Sequence, residues 1–130
     1  MTEDRTVVHV RPDEGREYPT AERVRILESW NTHLDGDVSI ARARLAPGES
    51  SEVHWLEAVD ERFVILSGSA TLDAGDVVGR PVAPGDVVFV PAGTRQRFHN
   101  TGAEDLVFLC ICTPRFTSRC YHAGEPPADT

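Results

Sequence analysis

GESSEVHWLEAVDERFVILSG, from Gly48 to Gly68, sets a lone histidine, an acidic run and a β-prone segment between two glycines. The glycines and the Ser/Glu/Asp content mark turns, and Phe63 to Leu66 form the centre of a strand halted at Gly68. His54 and Glu61 stand on either side of the implied reversal. An imidazole and a carboxylate brought together across a hairpin suit either one metal ion or one proton-transfer site.

The same alternation of apolar runs and turn residues extends in both directions. Upstream, RVRILESW (Arg23 to Trp30) is strand-like, Asp35-Gly36 marks a reversal, and VSIARARLAPG places Ala41, Ala43 and Leu45 on one face. Downstream come a strand around Ala70 to Leu72, the turn Pro84-Gly85-Asp86, an apolar strand ended by Pro91 and Gly93, and the most hydrophobic strand, Leu106 to Cys112. About eight to ten short strands with no convincing helix predict an all-β sandwich or barrel. The expected division is an N-terminal arm or edge strand (1–22), a barrel (23–114) and a polar, Pro-rich tail (115–130) that wraps the outside and frays.

At 130 residues the chain fits one domain with one core. Its net charge of −8 and lack of a basic cluster argue against nucleic acid and anionic membranes as partners. No apolar run approaches a bilayer span and MTEDRTVVHVRPDE lacks the apolar centre of a signal peptide, so a cytoplasmic location is expected. All 13 basic residues are arginine, which removes lysine-based Schiff-base chemistry. Cys110 and Cys112 share one face of one strand, a poor disulfide geometry, and with Cys120 are expected to be reduced.

The two glycine-bounded segments resemble the paired motifs of the cupin superfamily. The first family motif runs glycine, His-x-His, glutamate, glycine; Gly48, His54, Leu56, Glu61 and Gly68 occupy its positions in register. The second runs glycine, Pro-x-Gly, histidine, asparagine; Gly85, Pro91, Gly93, Gln96 and Asn100 occupy these. The resemblance covers Ala41 to Thr113 and implies a double-stranded β-helix, the cupin jelly-roll barrel, commonly as a homodimer. Two of the four metal-ligand positions of the family are altered: Leu56 coordinates nothing, and the Gln96 amide is a neutral ligand better suited to hard ions.

A small barrel leaves one natural cavity, lined by inward residues of the motif strands. His54 and Glu61 are the catalytic candidates, and Gln96, Asn100, Phe63 and Phe98 the substrate-binding ones. The remaining metal set is His54, Glu61 and Gln96, so the cofactor is either none or one divalent ion such as Fe, Mn, Ni or Zn. His33 or His122 would replace a missing ligand if its segment folds over the mouth, and an inward Cys112 thiol would be a nucleophile or soft ligand. His99, of opposite parity to Gln96, is expected to face outward. Without a full histidine set, the leading expectation is a small-molecule enzyme of non-redox proton-transfer type, a cyclase, isomerase or dehydratase acting on an oxygenated metabolite such as a polyketide. The alternatives are a divalent-metal enzyme, including a dioxygenase, and a module that binds or senses a small ligand without turning it over.

Overall fold

The structure is a computed structural model and describes residues 6–128. The Gly/Pro/Asp punctuation cuts them into strands β1 (Tyr18–Pro19), β2 (Arg25–Trp30), β3 (Ser39–Leu45), β4 (His54–Leu56), β5 (Asp60–Ser67), β6 (Ala70–Ala74), β7 (Val77–Val82), β8 (Val87–Val90), β9 (Gln96–His99), β10 (Leu106–Thr113) and β11 (Tyr121–Ala123). Only two 3-10 turns, Glu14–Arg16 and Ser118–Cys120, interrupt them. Among the described residues no helix is long and apolar enough to cross a membrane.

The strands form two antiparallel sheets, one in the order β1-β2-β3-β10-β5-β8 and one in the order β11-β4-β9-β6-β7. Period-two patterning decides which side chains meet between them. Along β5, Glu61, Phe63 and Ile65 are buried while their neighbours are less so. Phe63 meets Phe98 and Phe108 edge-on, at centroid distances of 5.0 and 5.4 Å, in a core shared with Leu45, Ile65, Leu72 and Leu106.

The ladders separate this core from a polar end. Leu106 pairs with Leu45 at one end of β10, whereas Cys112 pairs with both Ser39 and Glu61 at the other. Gly68 must be glycine: its φ is +85°, and a Cβ there would lie 2.5 Å from the Asp105 carbonyl oxygen. The second motif's turn is tied to the first by the Gly93 N–H, which donates to the Leu56 carbonyl at 2.8 Å.

The C-terminal segment departs from expectation. It completes the barrel instead of wrapping its outside, because β11 pairs with β4, matching Tyr121 to Leu56 and Ala123 to His54. Cys120 is buried with Leu56, Val59 and Cys112 in a second apolar cluster against which Phe116 and Tyr121 pack. Enough apolar side chains recur in this polar tail, at Phe116, Cys120 and Tyr121, to bury one face against Leu56.

Candidate functional site

Beyond the aromatic core the sheets part around a cavity of about 330 Å³. Glu61 and Cys112 stand at its inner end, and Tyr18 and Glu28, both exposed, lie toward solvent. A smaller cavity of about 40 Å³ shares the walls Glu22, His54 and Glu61 and reaches Gln96.

Glu61 is 7% exposed and meets neither an arginine nor His54 by hydrogen bond. Gln96 Nε2 donates to its Oε1 at 2.9 Å, and the Cys112 thiol donates to Oε2 at 3.6 Å. Burial raises the Glu61 pKa, and the bond from Gln96 and the nearby His54 offset this only in part. The same burial, reinforced by the Glu61 charge, pushes the Cys110 and Cys112 thiols well up. A thiol held toward its protonated form is a poor nucleophile, which counts against that role for Cys112.

His54 faces Gln96 across the β4–β9 pair. Its Nδ1 lies 2.8 Å from the Glu52 carbonyl oxygen, which can only accept, so Nδ1 carries a proton and, whenever the ring is neutral, Nε2 is its acceptor. The ring stacks on Tyr121 at 4.8 Å, and Glu22 Oε2 approaches Nδ1 at 3.5 Å. Glu22 is held in a tight loop: the Thr20 N–H and hydroxyl both reach the Val24 carbonyl, Arg23 adopts φ +72°, and the Glu52 N–H donates to the Glu22 carbonyl. Burial raises the Glu22 pKa; His54 counteracts this and Glu61 adds to it. The Tyr121 hydroxyl donates to Glu52 Oε1 at 2.9 Å.

Several sequence candidates stand elsewhere. Asn100 lines neither cavity: its Nδ2 donates to the Leu45 and Glu104 carbonyls and its Oδ1 accepts from the Gly102 N–H. It is a buried strut between loops, not a group that orients substrate. Phe63 and Phe98 belong to the aromatic core and border only the smaller cavity. His99 faces away, bonded to Ser50 and Asp73. His122 stacks on Trp55 and reaches Glu57 on the outer face, and His33 lines neither cavity, so neither supplies a missing ligand. Conversely, motif spacing overlooked Glu22, Glu52 and Tyr121. Glu52 had a signal, since it shares strand parity with His54. Glu22 and Tyr121 had none, because they lie outside both motifs.

The sequence pattern of the cupin domain matches residues 41–112. This chain belongs to the cupin family. An uncharacterized protein of Streptomyces coelicolor is 40% identical over 57 residues, covering 44% of this cupin and 52% of that protein, so the match spans about half the length of the curated relative. Solved structures agree on the fold. An uncharacterized double-stranded β-helix protein of Klebsiella pneumoniae superposes with TM-score 0.67 at 19% identity over 95% of this chain and 99% of that one. A predicted oxalate decarboxylase of Thermotoga maritima gives 0.69 at 24% over 81% and 99%, and KdgF of a Halomonas species 0.71 at 15% over 86% and 99%.

A metal ion of the usual cupin kind does not fit the donors present. Leu56 at the second ligand position packs into the apolar cluster, and Gln96 turns its amide nitrogen, which has no free lone pair, toward Glu61. Among the described residues no group of three or more His, Cys, Asp or Glu side chains is arranged to hold a metal. Of the expected set, Gln96 and Glu61 are joined by a hydrogen bond, while His54 stands beside them with its own bond to the Glu52 carbonyl.

Proposed function

We propose that this cupin is a small-molecule enzyme of proton-transfer type, an isomerase, cyclase or dehydratase acting on an enolisable carbonyl compound such as a polyketide-like metabolite. The observation that carries this reading is the buried Glu61–Gln96 pair beside His54 at the inner end of an otherwise largely apolar cavity. Raised toward its protonated form, Glu61 donates a proton to a carbonyl oxygen, while His54 Nε2 accepts the proton from the adjacent carbon. Reversal at a different carbon returns both protons, so no oxidant or reductant is consumed. Gln96 holds the Glu61 carboxyl in place, and Tyr121 and the Glu52 carbonyl fix the imidazole.

The test is exchange of carbon-bound hydrogen with solvent. In D₂O, NMR of a panel of cyclic and acyclic ketones should show protein-dependent deuteration at the carbon next to the carbonyl. Glu61→Gln should slow it by about 100-fold or more while ligand affinity is kept. Protein purified without a histidine tag should carry less than about a tenth of an equivalent of Fe, Mn, Ni or Zn. Exchange that tracks added metal and ignores Glu61→Gln would overturn the proposal.

A further inference from the structure

Charge balance around the cavity bears on what fills it. Four carboxyl side chains line it, Glu22, Glu28, Glu52 and Glu61, while among the described residues no arginine does, and the chain contains no lysine. Two of these carboxyl groups flank His54: Glu22 Oε2 lies 3.5 Å from its Nδ1, and Glu52 accepts from the hydroxyl of Tyr121, whose ring stacks on the imidazole. A carboxylate or phosphate ligand would face these carboxyl groups with no arginine or lysine to pair with it.

Gln96 adds an independent observation. It is 2% exposed, and its Oε1 has no hydrogen-bond partner among the described residues. It borders the smaller cavity that shares Glu22, His54 and Glu61 with the larger one. A buried amide oxygen without a partner is costly, and what completes it is a hydrogen-bond donor or a cation. Most of the rest of the wall is apolar or aromatic, Ile26, Leu56, Phe116 and the rings of Tyr18 and Tyr121 among it, with uncharged polar groups at Thr20, Asn31, Ser39 and Ser118. Such a wall suits a hydrocarbon skeleton and, through its ring faces, a positive charge.

We propose that the ligand of this cavity is a small organic ammonium ion, a protonated amine on a mostly apolar skeleton. The inference rests on the cavity being the functional site and narrows the substrate class of the proposed reaction to carbonyl compounds that also carry a basic nitrogen. The nitrogen supplies the N–H donors that Gln96 Oε1 lacks and the positive charge that Glu22 and Glu52 lack. A bare metal ion is the poorer occupant because the carboxyl groups do not converge into a ligand set.

Calorimetry with three probes of matched skeleton tests this: phenethylamine, 2-phenylethanol and 3-phenylpropionate, at neutral pH and about 0.15 M salt to screen general attraction to an acidic protein. The amine should bind at least about tenfold more tightly than the alcohol, and the carboxylate more weakly than both. Glu22→Gln should weaken the amine about tenfold while leaving the alcohol within about twofold, and Glu57→Gln on the outer face should change neither. Should Glu22→Gln lose its near-ultraviolet dichroism, Glu28→Gln at the exposed rim serves instead, with an expected loss of about threefold.

A carboxylate that binds as tightly as the amine overturns the proposal, as does an amine indifferent to both Glu variants or unbound up to about 20 mM. Saturable Zn²⁺ or Mn²⁺ binding that displaces the amine assigns the charge to a metal ion and overturns it too. Failure of the proton-transfer reading is separate: there the amine binds but Glu61→Gln leaves exchange unchanged.

Discussion

Glu61 has a buried carboxyl whose partners, Gln96 and Cys112, are both neutral. Because its folded pKa is raised, its contribution to stability is complete below the ordinary carboxylate range and is lost as pH rises through the folded value. Glu61→Gln keeps the shape and removes the burden of ionisation. At pH 8 the variant should exceed the native protein by about 1–3 kcal/mol in urea unfolding, with the gap closing toward pH 4. An equal gap at both pH values would sink this account. His54, Glu61 and Gln96 were legible as neighbours because strand parity turns Glu61 inward and the hairpin registers set His54 against Gln96. Asn100 was misread for a related reason: parity correctly turns it inward, but parity does not say whether its amide is free or already bound to carbonyls.

At the scale of elements, β11 decides how well His54 is oriented. Tyr121→Phe keeps the stack on His54 and removes one hydrogen bond to Glu52, an expected cost of about 1 kcal/mol. Tyr121→Ala removes the stack and part of the apolar cluster as well and should cost about 3 kcal/mol, with a larger loss of ligand affinity than of stability. Equal denaturation midpoints for the two variants would show that the ring contributes nothing. Gly68→Ala tests the other end of the barrel. A Cβ driven against the Asp105 backbone at positive φ should cost about 2–4 kcal/mol and leave probe binding at the cavity unchanged once folding is restored by cooling. The strands were legible because their limits are local events, glycine, proline and aspartate at turns, whereas the role of the tail was hidden by its polar composition.

For the whole molecule, two sets of carboxylates pull stability in opposite directions. Arg25, Arg42 and Arg44 hold the Glu17 carboxyl down to about 2, so its contribution is present above the ordinary glutamate value and fades as pH falls toward that limit. The raised Glu22 and Glu61 lose theirs as pH climbs from the ordinary value. Self-repulsion from a net charge of −8 also relaxes toward the pI of about 5.0. Thermal stability should accordingly be higher at about pH 5.5 than at about pH 8, and a Glu22→Gln, Glu61→Gln double variant should flatten the difference. A steady rise in melting temperature from pH 5.5 to 8 would contradict this. The cupin likeness implies a homodimer with the N-terminal arm and RVRILE (Arg23 to Glu28) as its candidate contact, and edge strand β8, whose Val87 and Phe89 are 66% and 54% exposed, offers a further surface. Light scattering returning the 14.3 kDa of one chain would reject it.

By itself, the sequence determined the all-β architecture, the register of the two motifs and the loss of two ligand positions, because strand parity, turn chemistry and motif spacing act over a few residues. Only the tertiary structure decided that Glu22, Glu52 and Tyr121 gather around His54, and that Gln96 faces Glu61 with an acceptor to spare. Tyr121 and Glu52 lie 69 residues apart. The charge of a cavity, and the pKa of a carboxyl inside it, depend on which distant segments close over it and exclude water, and no local pattern encodes that.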